Sequence, residues 1–417
     1  MSKTSSGDYA ATIKSLGGDP ENPFQIFPEV KDFYAGVLSK KRKLAQKRKE
    51  EFKEWAAANA EKAAKLDDFF STEPQKIDWA AIEQKADDST RNGSKAVLSY
   101  LADHCENMIV ASADLSNSDK TDGFLKKTTA FQKGDFSGAF LQAGVAELSM
   151  AAIATGMALH GGVIPVCATF FAFSDYMKPA IRVASLMEQH VIFVWTHDAF
   201  RVGEDGPTHQ PVEQEAQIRL MEKLQNHSHK NSFLVLRPAD SDESTVAWKM
   251  AFENTSTPSG LIFSRQNIKT LPTREGSTRY EDALQAEQGA YIVIDSEGTP
   301  DIVMVANGSE VATLIAGAEK LINEKGLKVR VVSAPSEGIF RNQDAEYQNF
   351  ILPDYAPRFG MTAGLPVTLE GLVGHNGKVF GLNHFGFSAP YTVLDEKFGF
   401  TADNVVKQVM EILGKDA

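Results

Sequence analysis

The sequence predicts an α/β protein: two doubly wound, mainly parallel-sheet domains preceded by a helical N-terminal arm. Three observations predict it. Short, near-continuous apolar runs rich in β-branched residues alternate with longer amphipathic stretches from about Lys76 to Thr273. The alternation resumes after a polar, turn-rich linker at 271–276. The section before Lys76 is helical in composition and carries no strand-like run. Apolar strands separated by helices mean a parallel sheet covered on both faces.

Taken in order, the arm spans 1–75. Its opening, MSKTSSGDYAATIK, has no apolar run after its lysines and does not read as a secretory signal. Basic residues then crowd 40–49, and Glu50, Glu51 and Glu54 follow. That spacing supports i,i+4 pairing on a solvated helix rather than a nucleic-acid patch. In the first domain, 76–275, the expected strands are MIVASAD, FLQAGVA, VIPVCATFF, HVIFVWT, FLVLRPA and GLIFSR. LSMAAIATGMAL, DYMKPAIRVASLMEQ and PVEQEAQIRLMEKL read as helices between them. The apolar stretch 150–173 is long enough for a membrane span, yet His160, Gly161, Gly162 and Pro165 interrupt it. These residues mark a helix end and a turn into a buried strand. The second domain, 280–417, offers DIVMVAN and VRVVSAP as strands around a helix over 309–325.

Composition bounds the function. A chain of 417 residues, 42% hydrophobic and 24% charged, has room for two or three cores and is expected to fold throughout. Its 55 acidic residues outweigh 43 basic ones, for a net charge of −12, which disfavours nucleic acid as a partner. No membrane partner is expected either. Two cysteines, Cys105 and Cys167, lack C-x-x-C spacing and fit a reducing cytoplasm.

Ligands of open α/β sheets sit beyond the carboxyl ends of the strands. Glu147 follows FLQAGVA, Phe170 and Phe173 close VIPVCATFF, His197 follows HVIFVWT, and Arg265 ends GLIFSR. One sheet edge is therefore expected to gather a carboxylate, aromatics, an imidazole and a guanidinium. The densest stretch is THDAFRVGEDGPTHQPVEQ, 196–214, where His197 and His209 flank an acidic glycine turn and a helix is expected to open at Pro211. A metal would use His197, Asp205 and His209. The histidines lie twelve positions apart with neither an HExxH pattern nor a carboxylate pair, so no metal ligand is assigned.

GEDGPTHQPVEQ and the THD before it, with SRQN at 264–267, LRPAD at 236–240, SADL at 112–115, FGFSAP near Phe385 and FGFTADNVV near Phe398, resemble transketolase. The resemblance runs from about Pro20 to the C-terminus. It covers the pyrimidine-binding and C-terminal domains, preceded by a tail of the diphosphate-binding domain. It implies thiamine-diphosphate-dependent transfer of a two-carbon ketol unit from a ketose phosphate to an aldose phosphate, in the pentose phosphate pathway. Glu147 matches the glutamate that shares a proton with the aminopyrimidine. Phe173 matches the aromatic that stacks on that ring, with Phe170 and Tyr176 lining the same pocket. Arg91, Ser118, His197 and Arg265 match the phosphate site, and Asp205 and His209 face the sugar hydroxyls and the reacting end, with His209 also catalytic. Where the family has Arg before the glutamate and an aromatic or His after it, this chain has Ala146 and Leu148.

The family's GDG motif, which holds a divalent metal (Mg or Ca) on the diphosphate, has no counterpart here. The expectation is therefore a separate diphosphate-binding subunit carrying that metal, in a dimer or heterotetramer that takes sugar phosphates. Two other readings stand beside it. One is a non-catalytic truncated fragment or binding module, and the other is ketol transfer to formaldehyde, as in dihydroxyacetone synthases.

Overall fold

The computed structural model describes residues 6–71 and 73–415. In the arm, α1 (Ser6–Ser15), α2 (Pro28–Ala58) and α3 (Ala60–Phe69) follow one another. Pro28 opens α2, where its missing N–H costs nothing. No residue of α2 or α3 is buried. Lys47 pairs with Glu51 at 3.5 Å and Gln46 bonds Glu50 at 2.8 Å, the one-turn spacing of a solvated helix face.

The first α/β domain runs α4 (Thr90–His104), β1 (Met108–Ser112), α5 (Ser116–Asp119), α6 (Asp122–Leu125), β2 (Phe140–Gln142), α7 (Glu147–His160), β3 (Ile164–Phe170), α8 (Ser174–Leu186), β4 (Ile192–Thr196), α9 (Gln214–Lys223), β5 (Leu234–Leu236), α10 (Ser241–Glu253) and β6 (Ser259–Phe263). Its six strands are all parallel, in the order β2-β1-β3-β4-β6-β5. Alternate strand residues feed two cores, because successive side chains point to opposite faces. Val110, Val166, Val194 and Leu261 pack with Leu98 of α4 and Trp248 of α10. Ala111, Cys167, Trp195 and Ile262 pack with Met150 of α7, Met177 of α8 and Ile218 of α9.

The interrupted apolar stretch resolves as expected: α7 stops at His160, Gly161 turns with φ 81°, and β3 starts at Ile164. Helix α9 corrects an expectation, opening at Gln214 rather than Pro211. The Val212 carbonyl accepts from Leu365 N–H at 3.1 Å, and its N–H donates to the Gln214 side chain at 3.0 Å. Those bonds hold Val212 outside the helix.

The second domain runs α11 (Arg279–Ala283), β7 (Tyr291–Ile294), β8 (Ile302–Ala306), α12 (Glu310–Lys325), β9 (Val329–Ser333), α13 (Glu337–Arg341), α14 (Ala345–Ile351), β10 (Arg358–Met361), α15 (Val367–Val373), β11 (Lys378–Phe380), α16 (Tyr391–Phe398) and α17 (Ala402–Ile412). Its sheet, β11-β10-β8-β9-β7, is parallel except that β7 runs against β9. The alternation in the sequence marks β8 and β9 but not β7, β10 or β11.

A buried ion network joins the two domains. Arg237 reaches Asp198 at 2.7 Å, Asn307 at 2.8 Å and Glu310 at 2.5 Å, while Arg201 reaches Glu310 at 2.6 Å and Asp395 at 2.7 Å. Arg279 adds a bond to Asp240 at 2.6 Å. Asp198 directly follows His197, so the network anchors a site strand from behind.

Candidate active site

The chain leaves β1 for the edge strand β2 and returns on the other side as β3, making a topological switch where such sheets bind ligands. Glu147 sits there as the first residue of α7, where the positive end of the helix dipole favours a carboxylate. It is 7% exposed. The hydroxyl of the fully buried Thr169 donates to its Oε1 at 3.2 Å. A cavity of about 480 Å³ opens over it, lined by Val145, Glu147, Leu148, Phe173 and Tyr176.

Its aromatic wall is continuous. Tyr176 lies 6.2 Å from Phe173, and Phe173 lies nearly parallel to Phe170 at 5.9 Å. Phe170 in turn stacks on the His197 ring at 3.6 Å. His209 stands edge-on to Phe173 at 5.3 Å and to Phe170 at 6.2 Å. Such geometry follows the ring quadrupole and leaves one face of the wall free for a flat ligand.

His197 directly follows β4 in the left-handed region, φ 63°, which an L residue adopts only under constraint. Burial pushes its imidazole down to about 2, helped by Arg91 and Arg265, so the ring is neutral. Arg91 can only donate, so its 3.4 Å approach makes His197 Nε2 the acceptor and places the ring proton on Nδ1, 2.9 Å from the Thr196 hydroxyl. Arg91 also donates to the Ser118 carbonyl at 3.0 Å. Ser118 thus meets the cluster through its backbone as well as lying in its loop. Burial, then Arg265, lowers the guanidinium of Arg91, whose Nε is buried without a partner. Arg265 is half-buried just beyond β6.

The glycine turn needs its glycines. Gly203 and Gly206 adopt φ 85° and 77°. Gln210 straps the turn to the second domain, donating to the Gly203 carbonyl at 2.9 Å and the Phe387 carbonyl at 3.0 Å. Ser388 donates to the Glu204 carbonyl. Asp205 is exposed on this turn, and His209 Nδ1 lies 2.8 Å from the Thr208 hydroxyl. The structure thus groups Glu147, Phe170, Phe173, His197 and His209 most tightly, with Arg91, Ser118 and Arg265 at one end and Tyr176 and Asp205 more exposed. Thr169 and Gln210 were not singled out in the sequence. Thr169 had a signal, as a polar residue inside an apolar strand.

A buried carboxylate open to an aromatic recess fits the pyrimidine half of thiamine diphosphate, since it can share a proton with a ring nitrogen while the rings stack. Among the described residues no group of three or more His, Cys, Asp or Glu could hold a metal ion. No described helix is long and apolar enough to cross a membrane. A larger cavity of about 570 Å³ lies at the amino end of β5, where Lys249 pairs with Glu253 at 3.1 Å and with Glu287 at 2.6 Å.

Fold and site together define a doubly wound α/β protein with a buried carboxylate and an aromatic wall at a sheet switch point. Residues 87–270 match the family description "Transketolase, pyrimidine binding domain", and residues 289–401 match "Transketolase-like TK C-terminal domain". The transketolase of Aquifex aeolicus is 40% identical over 367 residues, covering 86% of this chain and 51% of that protein. The solved transketolase of Leishmania mexicana superposes with a TM-score of 0.85 at 31% identity, covering 97% of this chain and 57% of that one. The chain belongs to the transketolase family and corresponds to its C-terminal part. It spans little more than half the length of these relatives. In fold alone, at 22% identity and a TM-score of 0.59, it also covers 99% of a chain described as "Split gene transketolase, inactive beta4 tetramer".

Proposed function

We propose that this chain is the C-terminal subunit of a transketolase, moving a two-carbon ketol unit from a ketose phosphate to an aldose phosphate with a separate diphosphate-binding subunit. The observation that carries the reading is the buried Glu147 carboxylate, opening into an aromatic recess on the same sheet edge as Arg91, His197 and Arg265. Thiamine diphosphate, when bound, supplies the carbanion chemistry. Glu147 shares a proton with the aminopyrimidine nitrogen, and Thr169 fixes which oxygen is free to do so. Phe173 stacks on the ring, with Phe170 and Tyr176 completing the wall. His209 and Asp205 face the sugar hydroxyls, His209 moving a proton at the reacting end. Arg91, Arg265, His197 and the Ser118 loop hold the terminal phosphate, whose binding energy orients the reacting end.

The diphosphate and its divalent metal, Mg or Ca, are assigned to the partner, because the sequence has no GDG motif. Support for a covering subunit is the apolar rim of the recess, where Val145, Leu148 and Tyr176 are exposed. Self-association and a cytoplasmic setting complete the proposal, the latter fitting two free, buried cysteines. The arginine cluster favours a phosphorylated acceptor over formaldehyde.

Replacing Arg91 or Arg265 with Ala is expected to lower kcat/KM for a phosphorylated acceptor far more than for glycolaldehyde. A charged hydrogen bond is worth roughly 1.5–3 kcal/mol, about ten- to a hundredfold. Equal losses for both acceptors would assign the arginines to the fold and withdraw the phosphate site.

A further inference from the structure

Beside the phosphate cluster lies a cation that the family match does not assign. Lys120 directly follows α5 and takes the left-handed conformation, φ 70°, uncommon for a side-chain-bearing residue. Its turn is rigid. The Asp119 carboxylate accepts from the Ser112 hydroxyl at 2.6 Å, the Thr121 N–H at 3.0 Å and the Thr121 hydroxyl at 2.7 Å, and Arg91 grips the Ser118 carbonyl two residues away.

Among the described residues neither Lys120 nor Arg265 makes an ion pair or side-chain hydrogen bond, and Arg91 bonds only the Ser118 carbonyl and the His197 ring. Nearby acids are committed elsewhere. Asp122 pairs with Lys95 at 3.3 Å and Lys126 at 2.5 Å, Asp88 holds the Ser89 N–H and Asn92, and Asp119 is locked in its turn. In a chain with 55 acidic against 43 basic residues, three neighbouring cations that make no ion pair among the described residues are not a product of composition. The field of Lys120 reaches the others. It adds to the depression of His197, and burial and Arg91 lower Lys120 in turn. With His197 neutral, the positive charge around the Ser118 loop comes from Arg91, Arg265 and Lys120.

We infer that Lys120 is a third cationic contact for the phosphate end of the substrate, and that it makes this subsite select a dianion over a singly charged or uncharged end. The inference rests on the phosphate-site reading above. A phosphate monoester has a second pKa near 6 and is doubly charged at pH 7.5, whereas a sulfate ester carries one charge.

The test is calorimetric titration of the full chain at pH 7.5 with ribose 5-phosphate, ribose 5-sulfate and ribose. Lys120→Met is expected to weaken ribose 5-phosphate about tenfold, as loss of one charged hydrogen bond does, and ribose 5-sulfate much less, with Lys120→Arg close to the parent. Lys120→Gly, which suits the left-handed backbone, should behave as Lys120→Met does and guards against a folding artefact. Unchanged phosphate binding in Lys120→Met and Lys120→Gly, with a clear loss in Arg91→Ala, would overturn the role of Lys120 and leave the phosphate site standing. Equal losses for phosphate and sulfate would overturn dianion selection. Binding of ribose as tightly as ribose 5-phosphate by the parent chain would overturn both readings.

Discussion

Among the described residues the Glu147 carboxylate takes one side-chain hydrogen bond, from Thr169, in a mostly apolar recess. Glu147→Gln keeps the shape and the Thr169 contact but cannot share a proton. It is expected to lower turnover of the assembled enzyme by about 10²–10⁴-fold while far-UV circular dichroism stays unchanged. A variant within a few-fold of the parent would make Glu147 structural. His197 yields a pH prediction. Its folded pKa of about 2 lies below the ordinary 6.5, so the unfolded chain binds more protons below pH 6.5 and acid destabilises the fold. By linkage this one ring removes about 2 kcal/mol at pH 5. Urea denaturation at pH 7 and pH 5 should therefore show a smaller loss in His197→Asn than in the parent, and an identical pH dependence would contradict the assigned neutral state. Glu147, His197 and Arg265 could be singled out from sequence because each follows or ends a strand-like run. Lys120 was not, because nothing in a short polar loop announces that its acids are engaged elsewhere.

At the scale of elements, apolar runs were legible as strands, and β1, β2, β3, β4, β5, β6, β8 and β9 follow them. β7, β10 and β11 escaped for local reasons. β11 has only three residues, and β7 is an antiparallel edge with a register shift between Ile292 and Ile294. β10 contains Gly360, where a Cβ would lie 2.7 Å from Val373 of α15. That glycine serves a close helix–strand approach. The start of α9 was misplaced because the bonds holding Val212 come partly from the second domain. That domain steadies the site through Gln210 and through the Arg237 network. Burial would raise Glu310, but Arg237 and Arg201 hold it low and charged. Arg237→Ala leaves Asp198 and Glu310 facing each other without that guanidinium. It is expected to cost about 3–5 kcal/mol in chemical denaturation, as removal of one partner from a buried ion pair does. A loss under 1 kcal/mol would mean that the network is solvated in solution.

For the whole molecule, the alternation of strands and helices follows from hydrophobic patterning, and the function proposed above makes the site half of a larger one. In the function proposed above, the recess takes one ring and the cation cluster one end of a sugar, and the chain spans 51% and 57% of two relatives. The most direct test assays ketol transfer by the purified chain with thiamine diphosphate, magnesium, a ketose phosphate and an aldose phosphate, before and after adding a diphosphate-binding transketolase subunit. The account predicts no turnover from the chain alone and turnover that appears with the second subunit and vanishes again in Glu147→Gln. Robust turnover by the isolated chain, or activity in the mixture that ignores Glu147→Gln, would contradict it.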